Sequence, residues 1–155
     1  MSVLLDTNIL TRSVQPAHPM QQDAIEAVRL LKNANEELCI VPQNLVEFWA
    51  VATRPLTANG LQMTTVQAQR ELVKIKSFFR LLMDSTGVYD EWEKLVIDHA
   101  VSGRNTYDAR IVAAMKVHGI SHLVTFNDRD FKRYQDISVK TPAEVIQTHP
   151  IQPTE

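Results

Sequence analysis

Short apolar runs alternate along this chain with longer segments of helical period, and that alternation constrains the fold more than any other feature. Val3-Leu4-Leu5, Leu38-Cys39-Ile40-Val41, His122-Leu123-Val124-Thr125-Phe126 and Ile137-Ser138-Val139 read as strands. Leu81-Leu82-Met83 is a further candidate in which helix and strand are hard to separate. Between them, apolar residues spaced three and four apart mark helices over 7–14, 20–34, 43–54, 64–79 and 88–101, from Thr106 to a stop at Gly119, and from Thr141 onward. Such an order calls for an α/β fold with a short, mostly parallel sheet of four to five strands and helices on its faces.

Local signals sharpen the boundaries. Thr106 is a reasonable N-cap, which sets Asp108 at the second helical position, where the helix dipole favours an acid. Thr141-Pro142-Ala143-Glu144 has the cap, first-turn proline and third-position acid of a helix start. Thr64-Thr65 caps the long helix, and Asn59-Gly60 is the turn signal in the polar loop before it. The segment Gln43 to Arg54 is apolar nearly all round, which predicts burial on most sides, with Glu47 set in its middle. A carboxylate in that setting needs a cleft or a partner.

The length of 155 residues suggests one domain, residues 1–148, followed by a loose tail from 149 to 155. Cys39 is the only cysteine, so neither an intrachain disulfide nor a Cys-based zinc site is available, which fits a reducing compartment. The first residues lack the basic and apolar regions of a signal peptide, and no apolar run approaches the ~18 residues of a membrane span. A cytoplasmic protein is expected. A net charge of −2 argues against a surface that grips nucleic acid all over, but not against a local basic rim around an acidic site.

Acidic and amide residues recur where a parallel sheet collects ligands, outside the carboxyl ends of strands. Asp6 follows the first strand, and Asn127, Asp128 and Asp130 crowd the end of the strand at 122–126. Asp108 joins them if its helix starts beside the crevice, and Glu47 lies one turn into a helix that follows a strand. Each also has a structural explanation: an Asp after a strand makes an Asx turn or caps the next helix. If three or four carboxylates do converge, two unit charges at ~4 Å repel by about 4 kcal/mol at an effective dielectric of 20. A hard divalent cation relieves this, and an all-oxygen site selects Mg²⁺ or Mn²⁺. His18, His99, His118, His122 and His149 show no metal-ligand spacing, and glycine-rich phosphate loops are absent.

Three blocks in order resemble the PIN domain family, most closely its VapC-type toxins of prokaryotic type II toxin–antitoxin systems. They are Leu4-Leu5-Asp6-Thr7-Asn8-Ile9, Tyr107-Asp108-Ala109-Arg110-Ile111-Val112-Ala113-Ala114, and Gly119 followed by Leu123-Val124-Thr125-Phe126-Asn127 and Asp130-Phe131. The resemblance spans Val3 to about Ile146 and implies a three-layer PIN-like fold and a Mg²⁺- or Mn²⁺-dependent endoribonuclease. It puts the family's acids on Asp6, Glu47 and Asp108, with Asn127 as a further ligand and Asp130 as a further catalytic acid. Thr7, Asn8, Thr125 and the extra acid Asp128 would shape the pocket. Which of Asn127, Asp128 and Asp130 serves as the fourth polar ligand stays open.

The resemblance also implies an RNA substrate, a cognate antitoxin that occludes the pocket, and a homodimer. The loop from Pro55 to Met63 and the helix after it look like the clip region that such proteins use for dimerisation or substrate contact. Arg54, Arg104, Arg110 and Arg129, with Arg12, Lys132 and Arg133, would form the basic rim that RNA phosphates need. One competing reading is a catalytically silent PIN module that binds RNA or protein. Another is a metal-dependent phosphatase or DNA nuclease on a similar sheet. Phosphatases of the haloacid dehalogenase type want a second Asp two residues after the first, where this chain has Asn8.

Overall fold

The computed structural model describes residues 1–149, so all of the expected tail except His149 lies outside the described residues. In chain order the elements are β1 (Ser2–Leu5), α1 (Thr7–Ser13), α2 (Gln21–Asn33), β2 (Glu37–Ile40), α3 (Pro42–Thr53) and α4 (Thr65–Phe78). They are followed by β3 (Arg80–Leu81), α5 (Gly87–Asp98), α6 (Asn105–Val117), β4 (His122–Val124), β5 (Ser138–Lys140) and α7 (Pro142–Thr148). Single 3₁₀ turns occupy Leu56–Ala58 and Asp128–Phe131.

The five strands form one sheet in the order β3-β2-β1-β4-β5, and every pairing is parallel. Leu4 of β1 stands between Cys39 of β2 and Leu123 of β4. Alternate side chains of these strands enter two different cores, as the strand period of two requires. Val3, Leu5, Leu38, Ile40 and Val124 pack with Ile9, Val28, Phe48, Ile75 and Val145 under α1–α4 and α7. Leu4, Cys39 and Leu123 pack on the other face with Val88, Leu95, Val112 and Met115 of α5 and α6. Helices on both faces explain why the strands read as continuous apolar runs rather than alternating ones.

Strand order reverses between β1 and β4, because the chain winds outward from β1 through β2 to β3 and then returns to β1's other side. Doubly wound sheets bind ligands in the crevice at such a point. Asp6 leaves β1, and Thr125 leaves β4, on the two sides of that crevice.

The expected capping devices are present at two helix starts. Thr64 and Gln67 cap each other's backbone at α4, as Thr141 and Glu144 do at α7. α6 ends at Gly119 (φ 69°), with Gly119 N–H bonded to the Lys116 carbonyl and Ile120 N–H to that of Met115. That is the left-handed stop that glycine supplies at low cost.

Four local expectations need correction. α6 begins at Asn105, with Arg104 at the cap position, because the Thr106 hydroxyl donates to the Gly103 carbonyl instead of capping. Asp108 therefore stands at the fourth helical position rather than the second. α3 is buried on one side only, through Asn44, Phe48 and Ala52, and Val46 is 69% exposed. The third strand is the two-residue Arg80–Leu81 pairing with β2, one residue earlier than Leu81-Leu82-Met83. Val41 is displaced from β2 in the same way, since Pro42 opens α3 and turns Val41 into its cap.

Candidate active site

A cleft of about 400 Å³ opens at the carboxyl edge of the sheet, and its lining joins α1 and its cap Asp6, α3, the loop after α3, α6 and the segment after β4. Asp6, Thr7, Asn8, Glu47, Asp108 and Asn127 all line it, together with Arg12, Arg54 and Asn59. Residues from five separate stretches of sequence thus share one concave surface. A larger groove, about 730 Å³, lies between α1, α2 and α4 and is walled mainly by Leu10, Val14, Ile25, Val28, Ile75 and Phe78. It lacks the clustered acids of the first cleft.

Asp6 is held most firmly. It is the N-cap of α1, where its Oδ1 accepts from Thr7 N–H at 2.7 Å, so the structural role of an acid after a strand is also filled. Its Oδ2 accepts from the Thr125 hydroxyl at 2.7 Å and from Asn8 Nδ2 at 3.3 Å. Thr125 is fully buried, and its hydroxyl in turn accepts from Asn8 Nδ2 at 3.1 Å and from Asn127 N–H at 3.0 Å. Asn8 Oδ1 accepts from Phe126 N–H at 3.2 Å. Thr7, Asn8 and Thr125 therefore lock the ends of β1 and β4 together around one carboxylate.

Glu47 is reached through the other side of Thr7, whose hydroxyl donates to Glu47 Oε2 at 2.7 Å. Its Oε1 accepts from Gln43 Nε2 at 2.6 Å, and the same nitrogen donates to the Tyr107 carbonyl at 2.9 Å. Gln43 thus ties α3 to the first turn of α6, the turn that carries Asp108. Asn44, with no exposed surface, donates to Thr7 Oγ1 at 3.2 Å and accepts from Val41 N–H at 2.8 Å. Sequence reading missed Gln43 and Asn44. The available signal was spacing, since Gln43 precedes Glu47 by four and so shares its helix face.

Burial and neighbouring charge both act on the acids of the cleft. Burial is the largest influence on Asp6, and the charges of Glu47 and Asp130 add to it, while the hydrogen bonds from Thr125 and Thr7 oppose it; its pKa is raised to about 6. Asp108 is raised to about 7, by burial first and then by Asp6, Asp130 and Glu47, with only Arg133 acting the other way. Burial is the first cause for both acids, and neighbouring carboxylates add to it, so both titrate well above the usual carboxylate range.

Among the described residues, no three Asp, Glu, His or Cys side chains stand close enough to share one ion directly. The hydrogen bonds just described hold Asp6 and Glu47 toward their own neighbours. The donor set is nevertheless all oxygen, and it couples three carboxylates with the amide of Asn127 in one cleft. That is the chemistry that suits Mg²⁺ or Mn²⁺ rather than zinc.

The remaining sequence candidates are placed unevenly. Asp130 is exposed and outside the lining, yet its charge raises both Asp6 and Asp108. Asp128 sits beside it in the 3₁₀ turn and does not line the cleft, nor do Arg104 and Arg129. Arg110 is turned away and pairs with Asp84 at 3.0 Å. Arg54 and Arg12 are the two cations that reach the cleft wall. Arg54 is set by the loop from Pro55 to Met63, which folds back so that Leu61, Gln62 and Met63 N–H groups bond the Val51, Arg54 and Ala52 carbonyls. Gly60 is packed so tightly there that a Cβ would lie 2.1 Å from the Arg54 carbonyl oxygen.

Several solved structures share this architecture. VapBC2 from Rickettsia felis, bound to a DNA fragment from their promoter, matches with a TM-score of 0.70 at 20% identity, over 91% of this chain and 98% of that one. VapBC-1 from nontypeable Haemophilus influenzae matches with a TM-score of 0.68 at 15% identity, over 92% and 99%. The VapC20 toxin of Mycobacterium tuberculosis, which cleaves the sarcin-ricin loop, matches with a TM-score of 0.58 at 15% identity, over 78% and 86%. At these identities the likeness speaks for the fold. No curated protein matches by sequence. The family model of the PIN domain matches residues 3–137, and this chain belongs to the PIN domain family.

Proposed function

We infer that the protein is a divalent-metal-dependent endoribonuclease, the toxin of a toxin–antitoxin pair that blocks translation by cutting RNA. The observation that carries this is the meeting of Asp6, Glu47 and Asp108 in one cleft, with Asp6 and Asp108 raised to about 6 and about 7, by burial first and then by neighbouring carboxylates. Perturbed acids gathered in a cleft mark a functional site. Asp6, Glu47 and Asp108 would hold Mg²⁺ or Mn²⁺, helped by Asn127. Once bound, the ion lowers the pKa of a water and offsets the charge that builds on the phosphodiester.

The chain's own residues supply position. Thr7, Asn8 and Thr125 fix the two Asp6 oxygens, and Thr7 with Gln43 fixes those of Glu47. Arg12 and Arg54 offer the substrate phosphates cationic partners at the same wall. Asp130 supports the group through its charge.

The antitoxin is the proposed protein partner. VapBC complexes among the structural neighbours support that choice. The mainly apolar groove between α1, α2 and α4, about 730 Å³ and lined also by Arg29, Lys32, Glu71 and Lys74, is the proposed seat of a partner segment. No helix among the described residues is long and apolar enough to cross a membrane, and a cytoplasmic site of action belongs to this reading.

Incubation with tRNA, rRNA and single-stranded DNA, with Mn²⁺ and with EDTA, tests the proposal. RNA cut only with the ion, and not by Asp6→Asn, supports it. Full-rate cutting in EDTA or by Asp6→Asn overturns it. The spread of the carboxylates among the described residues favours one competitor, a silent PIN module that binds RNA or protein. Such a module would show no Mn²⁺-dependent rise in melting temperature beyond that of a matched salt.

A further inference from the structure

The polar chain that fixes Glu47 continues out of the acidic cleft. Gln43 Oε1 accepts from Arg110 Nη1 at 3.2 Å, and Arg110 Nη2 donates to Asp84 at 3.0 Å. This ion pair walls a second cavity of about 370 Å³, lined by Asp84, Ser85, Val88, Tyr89, Trp92 and Arg110. That volume lies at the lower end of small-molecule sites, about 300–1,000 Å³.

Its walls have two different chemistries. Tyr89 and Trp92 stand ring to ring, 5.6 Å between centroids at 41°. Trp92 is fixed in orientation, because its Nε1 donates to the Thr106 carbonyl at 2.8 Å. Tyr89 is nevertheless 62% exposed, and Tyr107, the residue before Asp108, is 65% exposed. The same cavity is lined by the partly exposed Asp84–Arg110 carboxylate–guanidinium pair. A ligand for such a place is flat, with a π-face to stack and a hydrogen-bonding edge.

The two cavities share one turn of helix. On α6 the Thr106 carbonyl holds Trp92, and the next carbonyl, Tyr107, holds Gln43 and through it Glu47. Asp108 of that turn lines the acidic cleft, and Arg110 lines the second cavity. Whatever fills the second cavity is thus a near neighbour of whatever fills the first.

We propose that the cavity formed by Tyr89, Trp92, Arg110 and Asp84 receives an unstacked nucleobase of single-stranded RNA, next to the phosphodiester in the acidic cleft. The inference rests on the nuclease reading and adds to it a base-binding cavity beside the acidic cleft. Proteins read single-stranded RNA by splaying bases onto aromatic rings and bonding their edges. The carboxylate of Asp84 only accepts hydrogen bonds. Guanine presents two adjacent donors, N1–H and the N2 amino group, so guanine is the preferred base.

Binding of short single-stranded RNAs to the full chain, followed by fluorescence anisotropy in EDTA, separates recognition from cleavage. Tyr89→Ala should weaken binding roughly 5- to 150-fold, the range of one lost base–aromatic stack. It should leave the melting temperature and the weaker binding of duplex RNA unchanged. Asp84→Asn should erase the preference for an oligonucleotide with one guanine over its adenine counterpart. Unchanged single-strand affinity in a folded Tyr89→Ala protein overturns the proposal. So does a change of oligomeric state in Tyr89→Ala with RNA affinity intact, which would make the patch a protein interface. If the wild type binds guanine-containing RNA in EDTA with Tyr89 dependence yet never cuts it with Mn²⁺, the base site stands and the nuclease reading falls. If Tyr89→Ala cuts RNA with unaltered KM, the base site falls and the nuclease reading stands.

Discussion

The Thr125 hydroxyl donates to Asp6 Oδ2 at 2.7 Å across the point where the strand order reverses, between residues 119 apart in sequence. This bond is one of two that restrain the upward drift of the Asp6 pKa caused by burial. Thr125→Val keeps the shape and deletes the donor. The loss should destabilise the fold by about 1–3 kcal/mol, the range for a buried group left unsatisfied. It should also move the pH dependence of metal binding upward. Thermal melts and Mn²⁺ titrations at several pH values check both effects.

The raised acids give the ion-free protein an unusual pH profile. Asp6 rises from 3.8 to about 6 and Asp108 from 3.8 to about 7, so the folded chain binds more protons than the unfolded chain between those limits. Stability from these two groups therefore falls as pH rises through that window, and the penalty is fully present above it. In EDTA the melting temperature should be higher at the acidic end of the window than above it. Mn²⁺ should reverse the trend, because a cation removes the repulsion that protons otherwise relieve. A melting temperature that rises with pH across the window in EDTA would count against the crowded acids.

Gln43→Ala removes the donor shared by Glu47 and the Tyr107 carbonyl. Residues behind metal ligands typically tune metal affinity by about 10–100-fold. The variant should need correspondingly more Mn²⁺ for half-maximal cleavage, with little change in melting temperature, since Gln43 is only partly buried. Restoration of the wild-type Mn²⁺ requirement by Gln43→Glu would show that charge rather than the amide bridge matters.

Gly60→Ala tests the loop that presents Arg54 and Asn59. Its Cβ would meet the Arg54 backbone at 2.1 Å, so the loop must shift. A destabilisation of about 1–3 kcal/mol is expected for an overpacked site. KM for RNA should rise more than kcat falls, because the displaced groups touch the cleft wall without being metal ligands.

The strands and most helices were legible because burial writes itself into the sequence. β1 and β4 are apolar on both faces, and each is followed by a polar residue at the crevice edge. Asp6, Glu47, Asp108 and Asn127 could be nominated because topology places strand ends and following helices along one edge. What stayed illegible depends on partners distant in sequence. Arg110 reads as a rim cation until Asp84, 26 residues away, is seen to pair with it. Asn44 looks like an ordinary first-turn amide until its contact with Thr7 is known. The α3 sequence predicts burial on most sides because exposed apolar residues such as Val46 carry the same sequence signal as buried ones. The start of α6 shifted because Thr106 bonds Gly103 rather than the helix backbone, a choice between two local bonds that composition does not decide.

Calorimetric titration of Mn²⁺ into the wild type, Asp6→Asn and Asp108→Asn, at a pH within the window of the two raised acids and in buffers of different ionisation enthalpy, is the most direct test of the acidic centre. The expected result is saturable binding by the wild type with release of protons, and loss of both in each variant. Equal binding by all three proteins, or wild-type binding with no proton release, would contradict a metal centre built on Asp6 and Asp108.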